Sequence, residues 1–323
     1  MSHAPTTRSS WWPATVAGMA SYLDGAITIG TGSALVLFTD EFGLTGNQIG
    51  QLNALLMVFF AIGALTGGRL GDRYGRRRVF SATMVLLVIG ALLMTVAVNP
   101  AMLYAGVILL GLGAGADLPV SLAMIAETAP EGKVGKMITY SQYLWLIGMV
   151  AVLVIGAVFG GLGTLGARIY NIHVLVIAVL VLVFRMGLPE SKSWTDTQAI
   201  ALSAGEKPRQ ATLRDMFRSR FRWPLIATAL FYVLLMIALN TNGQFSSYVW
   251  VEAAGSTVQV ASMFSLVGLA VSFVGTGIMM RIVDTKWRKA AFIIATVVNV
   301  GSFVVVAAFG AHVWTLVALG VLF

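Results

Sequence analysis

Long apolar runs separated by short polar turns make up most of this chain of 323 residues. A helix needs about 20 mainly apolar residues, each rising about 1.5 Å, to cross a bilayer. Helices are expected because hydrocarbon cannot satisfy unpaired backbone groups, and no alternating barrel pattern is present. The pattern therefore predicts an all-α polytopic membrane protein. It predicts spans at roughly 13–38, 48–68, 79–98, 102–126, 138–161, 166–187, 223–250, 257–281 and 290–311.

One long polar stretch divides these spans into two groups. Residues 188–222 are rich in serine, threonine, lysine and arginine, and six predicted spans precede them. This composition is typical of a linker between two domains. We therefore predict an N-terminal six-helix transmembrane bundle over residues 1–187 and a cytoplasmic linker over 188–222. An incomplete C-terminal transmembrane bundle is expected over residues 223–323.

The basic residues indicate how the chain is oriented. Arg168 is the one basic residue that this topology places on the second membrane face, so the first face receives 20 of the 21 lysines and arginines. Cytoplasmic loops carry the excess of lysine and arginine in multi-pass membrane proteins. The distribution predicts a multi-pass protein of the cell (inner) membrane whose N-terminus lies in the cytoplasm.

Composition excludes several other classes of protein. Only 11% of the residues are charged and the mean hydropathy is +0.87, whereas soluble domains carry about 25% charged residues. The net charge of +8 lies in short clusters between apolar runs, which favours a lipid bilayer over nucleic acid as partner. Without cysteine, and with three scattered histidines, the sequence offers no thiol chemistry, metal site or cofactor site. We therefore do not expect this protein to be an enzyme.

The segment 68–78, here called the charged turn, is the most informative short motif. It holds five arginines and one aspartate between two apolar runs, so it lies at a membrane surface rather than inside the bilayer. A similar segment occurs at 281–289, where Asp284 corresponds to Asp72 and basic residues again follow. A charged turn repeated at half the length of a protein indicates a duplicated membrane bundle.

The charged turn resembles the cytoplasmic loop between helices two and three of the major facilitator superfamily. Its repeat, with Asp284, Arg288 and Lys289, resembles the second copy of that loop between helices eight and nine. The resemblance implies two six-helix bundles that rock about a central site and expose it to each side in turn. Such a fold has twelve helices, so we expect about two and a half to be missing and the chain to be C-terminally truncated.

Two carboxylates beside the predicted helix ends resemble signatures of the sugar and metabolite porters. They are Glu127, after the fourth span, and Glu190, after the sixth. The resemblance implies that these acids and the basic turns form a network that closes the cytoplasmic side; the alternative is ordinary solvated carboxylates. We call this set the cytoplasmic gate, and it comprises Gly68, Asp72, Arg73, Gly75, Arg76, Arg77, Glu127, Glu190, Asp284 and Arg288.

Two further carboxylates lie inside predicted spans: Asp24 in the first and Asp117 in the fourth. Hydrocarbon disfavours an ionised carboxylate, so such a group can bind and release a proton when its surroundings alternate between dry and wet. Asp24 resembles the proton-coupling acid of proton-linked sugar and phosphate porters, and the run ending at Asp117 resembles the fourth helix of phosphate-type symporters. The alternative is that each acid bonds a hydroxyl or backbone group within a kinked helix.

Other positions depart from those relatives. The predicted spans contain no well-buried lysine or arginine, which leaves Asp24 without a cationic partner. Sugar porters place an arginine early in helix four, where Val107 stands here, and phosphate porters carry a tyrosine where Leu118 stands. A bound anion would lack a neutralising charge. The sequence therefore favours a neutral organic solute, such as a sugar or polyol.

Polar and aromatic residues in two spans are the candidate contacts with this solute. Amide side chains both donate and accept hydrogen bonds, which suits vicinal hydroxyl groups. The alternative is that the fifth-span candidates cap a cytoplasmic helix end, while the seventh-span candidates lie where that helix frays at the outer surface. The candidates are Gln142, Tyr143 and Trp145 in the fifth span and Asn240, Asn242, Gln244 and Tyr248 in the seventh.

These features together predict a proton-coupled secondary transporter of a small neutral organic solute that works by alternating access. Proton-antiport efflux of a small organic compound is an alternative within transport. A truncated chain that transports nothing, or a membrane sensor, is the alternative outside it.

Overall fold

A computed structural model describes residues 11–130, 133–187, 190, 192–203, 222–252, 255–282, 285 and 287–309. Every regular element within these ranges is a helix, which confirms the predicted all-α class. The helices are α1 (Trp11–Leu37), α2 (Thr39–Phe42), α3 (Gly46–Tyr74), α4 (Arg76–Thr95), α5 (Pro100–Thr128), α6 (Val134–Phe159), α7 (Thr164–Met186), α8 (Lys192–Ser203), α9 (Arg222–Glu252), α10 (Val258–Ile282) and α11 (Arg288–Phe309), with a 3₁₀ turn at Gly160–Leu162.

Six helices in the described part of the chain are long and apolar enough to cross a membrane: α3, α4, α5, α6, α7 and α10. The other three predicted spans also form helices, α1, α9 and α11, of 27, 31 and 22 residues. Glycine, serine, threonine and Asp24 are interspersed among the apolar residues of α1. The linker prediction includes α8, and the division into two bundles remains a prediction.

Local sequence signals define where two of the long helices begin. Thr45 and Gln48 form a reciprocal capping box at the start of α3, which satisfies backbone N–H groups that have no partner within the helix. Asn99 accepts a hydrogen bond from the Met102 backbone N–H, and Pro100 follows at the first helical position of α5. Proline suits that position because its missing N–H would be unpaired there in any case.

Close glycine contacts hold α3 against α5 along most of its length. A Cβ atom at Gly115 would lie 1.9 Å from the carbonyl oxygen of Phe60, and one at Gly67 would lie 2.3 Å from the carbonyl oxygen of Ala116. Small residues let membrane helices approach until their backbones touch. The helix α4 packs on the other side of α5, so α5 lies at the centre of this group.

The helices α6 and α10 pack side by side and run antiparallel. Gly160 lies against Gln259 at one end of the contact, Gly156 lies against Ser262, and the Tyr143 ring lies against Phe273 further along. The distance from Gly160 to Tyr143 along α6 is about 25 Å, at about 1.5 Å per residue. The pair therefore joins the first seven helices to the later ones over most of a membrane thickness.

The two ends of the bundle carry different charges. The charged turn joins α3 to α4 at one end. At the other end Arg168, near the start of α7, pairs with Glu41 of α2 at 3.1 Å. The structure thus places Arg168 opposite the basic turn, as the sequence predicted.

Candidate functional site

The helices α1 and α6 meet through glycine contacts beside Asp24. A Cβ atom at Gly25 would lie 2.5 Å from the Trp145 carbonyl oxygen, and one at Gly148 would lie 2.1 Å from the Tyr22 carbonyl oxygen. The backbones therefore touch here, and side chains next to the glycines reach across the contact. This close approach brings the candidate proton site beside a candidate solute contact.

Asp24 is held by two neutral hydrogen-bond donors. The Trp145 indole Nε1–H donates to Oδ2 at 3.1 Å, and the Thr28 hydroxyl, one turn further along α1, donates to Oδ1 at 3.4 Å. Within the described residues Asp24 forms no ion pair. Both donors are neutral, so they hold the carboxyl group in place without supplying a fixed positive charge.

The other candidates on α6 have different surroundings. Tyr143 is partly buried, with its ring centroid 6.0 Å from that of Phe273 in α10. Its hydroxyl lies so close to Gly277 that a Cβ there would come within 2.9 Å. Gln142 is exposed. Among the three predicted contacts on α6, Trp145 is therefore the one that the structure brings to Asp24.

The candidates on α9 are described only in part. The side chains of Asn240, Asn242 and Gln244 lie outside the described residues. The hydroxyl of Tyr248 lies against Gly46, at the start of α3, where a Cβ would be 2.6 Å from it. Gly46 is at the end of α3 away from the charged turn, so the structure places Tyr248 near that end of the helices rather than beside Asp24.

A buried polar group beside Tyr248 was not predicted from the sequence. The hydroxyls of Ser33 in α1 and Ser247 in α9 are 2.8 Å apart. Close by, the Tyr170 hydroxyl and the Ser262 hydroxyl both approach Gly156 so closely that a Cβ there would lie 2.2 Å from each. Hydroxyl groups and one glycine therefore bring α1, α6, α7, α9 and α10 into contact in this region.

Asp117 has a cationic partner, which corrects the expectation that the spans hold no buried basic residue. Arg185 of α7 is 1% exposed, and its Nη1 pairs with Asp117 Oδ1. Arg185 stands near the polar linker in the sequence, but its side chain turns inward. It continues the buried stripe of α7 formed by Tyr170, Val174 and Val181, and this helical spacing was the signal that could have identified it.

The pair between Asp117 and Arg185 is surrounded by further contacts from α4 and α5. The Thr83 hydroxyl donates to Asp117 Oδ1 at 2.9 Å, and Arg185 Nη2 donates to the Ser121 hydroxyl at 3.3 Å. The guanidinium carbon lies 4.4 Å from the centre of the Phe80 ring. These contacts satisfy most of the polar atoms of the buried pair, which helps to stabilise it, while Arg185 Nε has no hydrogen-bond partner among the described residues. The arrangement ties α4, α5 and α7 together.

A second polar pair links α1 to α7. The Tyr22 hydroxyl and His173 Nε2 are 3.0 Å apart, and Tyr22 is 8% exposed. From the sequence, His173 was one of three scattered histidines without metal-ligand spacing, and Tyr22 had no predicted role. Tyr22 and Asp24 are two positions apart and therefore point to different sides of α1, so this pair is separate from the Asp24 contacts.

At the charged turn, one arginine connects two acids of the cytoplasmic gate. Arg76 Nη2 lies 2.8 Å from Asp72 Oδ1 and 3.2 Å from Glu127 Oε1. Asp72 is four positions earlier on the chain, whereas Glu127 is at the end of α5. The turn between α3 and α4 is thus fastened to the end of a third helix.

The other predicted acid fastens the same turn to the end of α7. Glu190 accepts the Arg77 backbone N–H at 3.2 and 3.3 Å, and Arg77 Nη2 donates to the Met186 carbonyl oxygen at 2.6 Å. The Trp194 indole of α8 donates to the Asp72 carbonyl oxygen at 2.9 Å. Both predicted acids therefore contact the charged turn.

Gly68 and Arg73 are two further members of the cytoplasmic gate within the charged turn. Gly68 is beside Pro119 of α5, and the Arg73 guanidinium stacks on the Tyr74 ring at 5.2 Å. Asp284 lies outside the described residues, and so does the side chain of Arg288. Their contribution therefore remains a prediction.

Gly75 adopts a backbone conformation that other residues avoid, and we expect its replacement to weaken this end of the bundle. Its φ is +97°, and a Cβ would lie 2.5 Å from Glu190 Oε2. Gly75→Ala is expected to lower the free energy of unfolding by about 1–3 kcal/mol through strain, and further by displacing Glu190. The measurement is denaturant or thermal unfolding in detergent.

Gly43→Ala is the matched control for Gly75→Ala. Gly43 also has a positive φ, +60°, but no atom lies within 4 Å of the place that a Cβ would take. Gly43→Ala should lower the free energy of unfolding only through left-handed backbone strain, by about 1 kcal/mol. Equal losses in the two variants would show that the contact with Glu190 contributes nothing.

Comparison with known proteins defines the class. The model of the Major Facilitator Superfamily matches residues 14–323, and this chain belongs to that family. The minor myo-inositol transporter IolF of Bacillus subtilis (strain 168) is 32% identical over 287 residues, which cover 86% of this chain and 65% of that protein. The family and this relative are transporters rather than enzymes, and the six apolar helices fit a multi-pass membrane protein.

Another relative and a solved structure agree with this class. The arabinose-proton symporter of Escherichia coli (strain K12) is 32% identical over 203 residues, or 62% of this chain and 41% of that protein. The xylose transporter XylE from E. coli, in a partially occluded inward-open conformation, superposes with a TM-score of 0.70 at 17% identity, over 97% of this chain and 84% of that one. This likeness confirms the fold. The chain spans less than two thirds of either curated relative.

Proposed function

We propose that this protein is a proton-coupled transporter of a small neutral polyol or sugar. The observation that carries the proposal is the hydrogen bond between Asp24 and Trp145. It joins a carboxyl group without an ionic partner among the described residues to an aromatic side chain of the predicted solute site. Protonation of Asp24 would alter this bond, and a solute that displaced Trp145 would alter the surroundings of Asp24. Solute and proton binding are coupled through one contact.

The chemistry of the site favours a neutral solute. The described side chains that hydrogen-bond Asp24 are an indole and a hydroxyl. The one fully buried arginine of the described chain, Arg185, is already paired with Asp117. An anion would therefore find no uncommitted cation at this site among the described residues. The similarity to a myo-inositol transporter and an arabinose-proton symporter supports a cyclic polyol or a pentose.

Alternating access requires a closure that forms and breaks on each side of the membrane. In this proposal the contacts of Arg76 with Asp72 and Glu127, and of Arg77 with Glu190, form the first bundle's part of such a closure. We place the N-terminus and the charged turn in the cytoplasm of the cell (inner) membrane, on the basis of the lysine and arginine distribution. The two bundles of residues 1–187 and 223–323 move relative to each other in this proposal.

Uptake of labelled myo-inositol into proteoliposomes tests the proposal. We expect faster and larger uptake when the outside is more acidic than the lumen, and inhibition by excess unlabelled arabinose or xylose. A myo-inositol phosphate should not inhibit, because the site lacks a cation for it. Uptake that is equal with and without the pH gradient would contradict proton coupling.

The alternatives give distinguishable results in the same vesicles. Proton-antiport efflux predicts accumulation when the lumen, rather than the outside, is acidic. A protein that transports nothing predicts no uptake in either direction. A sensor predicts the same absence of uptake, together with saturable solute binding to the purified protein.

A further inference from the structure

A groove enclosing about 520 Å³ runs along the bundle between α3 and α4. Both helices pack closely on α5 but touch each other much less, so they diverge and leave α5 as the floor. The walls and floor are mostly apolar. They include Thr66, Leu70 and Tyr74 of α3, Ala82 and Leu86 of α4, and Leu112 of α5.

The groove is open to the region that lipid occupies. Leu70 is 41% exposed and Tyr74 46% exposed, and Ile62 and Leu65 beside them on α3 are also exposed. Apolar side chains of a membrane-spanning helix that face outward are in contact with acyl chains. An apolar groove among such residues is therefore filled by hydrocarbon rather than by water.

The length of the groove matches one leaflet. It extends along α3 from Gly63 to Tyr74, which is about 16 Å at about 1.5 Å per residue. Half of the hydrocarbon core of a bilayer measures about 15 Å. The groove therefore accommodates an acyl chain from its headgroup end to the bilayer centre.

One end of the groove is basic, and its arginine has no protein partner among the described residues. Arg78 lines the groove beside Tyr74, at the level of the charged turn. Its neighbours Arg76 and Arg77 are bound to Asp72, Glu127 and the Met186 carbonyl. In the part of the chain that the structure describes, the Arg78 side chain makes no hydrogen bond or ion pair. Its guanidinium is free to bind a phosphate, which it matches in geometry.

We propose that this groove binds an anionic phospholipid, with one acyl chain between α3 and α4 and the headgroup phosphate on Arg78. The site combines an apolar cleft of one-leaflet length with an arginine at its surface end that has no protein partner among the described residues. It does not depend on transport. A zwitterionic lipid also fills the cleft, but its headgroup gains less from a single arginine because it carries no net charge.

Native mass spectrometry of the purified protein with added dioleoyl phosphatidylglycerol or dioleoyl phosphatidylcholine tests the proposal. We expect the first single-lipid adduct to form about fivefold more tightly with phosphatidylglycerol, which corresponds to about 1 kcal/mol for one basic residue at the membrane surface. Arg78→Gln should remove this preference. Arg69→Gln is the matched control, because Arg69 is an exposed arginine of the same turn that does not line the groove.

Two further variants test the acyl-chain position. Ala82→Phe and Thr66→Phe fill the groove from opposite walls at exposed positions, and each should weaken binding of both lipids. Ile89→Phe, at an exposed position of α4 outside the groove, should leave binding unchanged.

Three results would overturn the proposal. An equal loss of the phosphatidylglycerol preference in Arg78→Gln and Arg69→Gln would show that the lipid is attracted by the basic residues in general. Unchanged binding in both groove-filling variants would show that no acyl chain occupies the groove. Displacement of the lipid by glycerol phosphate alone would show a site for free phosphate instead.

Discussion

Replacing Asp24 with asparagine is expected to abolish accumulation of solute against its gradient while downhill entry continues. Asparagine occupies nearly the same volume and can still accept the Trp145 hydrogen bond, but it cannot bind and release a proton. A pH difference of one unit is worth about 1.4 kcal/mol per proton, or about tenfold accumulation. The accumulation ratio should therefore fall from about ten to one.

Measurements of labelled myo-inositol in vesicles with an imposed pH gradient check this expectation. Asp40→Asn provides a matched control, because Asp40 is an exposed acid in the short helix α2. It should accumulate solute normally. An Asp24→Asn protein that also accumulates solute normally would remove the basis for assigning the proton to this residue.

Breaking the pair between Asp117 and Arg185 is expected to cause the largest loss of stability. Both side chains are buried, at 1% exposure or less, so removing one partner leaves an uncompensated charge in an apolar interior. Such a change costs about 3–5 kcal/mol. Asp117→Asn and Arg185→Met should each lower the free energy of unfolding by about this amount. The double variant should recover most of the loss, because it leaves no unpaired charge.

Unfolding of the four proteins in detergent forms a double-mutant cycle that measures the coupling. Single losses that simply add in the double variant would show that the two side chains do not interact. Transport by the double variant gives a second reading. Accumulation that survives it would leave Asp24 as the proton site and Asp117 as part of a structural pair. Loss of accumulation at full stability would show that Asp117 also takes part in coupling.

The helices themselves were predictable because hydrocarbon imposes a length and a composition on each span. All nine predicted spans coincide with helices in the described part of the chain. Thr45 and Asn99 cap the starts of α3 and α5 in the structure, and the apolar pattern alone did not predict these caps. The contacts of Glu127 and Glu190 with the charged turn followed from the resemblance to a family rather than from composition.

Contacts between helices could not be predicted, since they depend on the rotation of each helix about its axis. Arg185 lies near a helix end, where a basic side chain commonly extends to the membrane surface; the rotation of α7 turns it toward Asp117 instead. The contact of Trp145 with Asp24 similarly depends on how closely Gly25 and Gly148 let α1 approach α6. Glycines at a four-residue spacing, such as Gly63, Gly67 and Gly71, are typical of close helix packing but do not identify the partner helix.

In the proposed function, solute and proton move together through a site in which Asp24 contacts Trp145. The most direct measurement follows the pH of the medium when myo-inositol is added to proteoliposomes without a pre-formed pH gradient. Symport predicts that the medium becomes alkaline as solute enters, and that Asp24→Asn removes this change. Entry of solute without a pH change, or with acidification of the medium, would contradict the account.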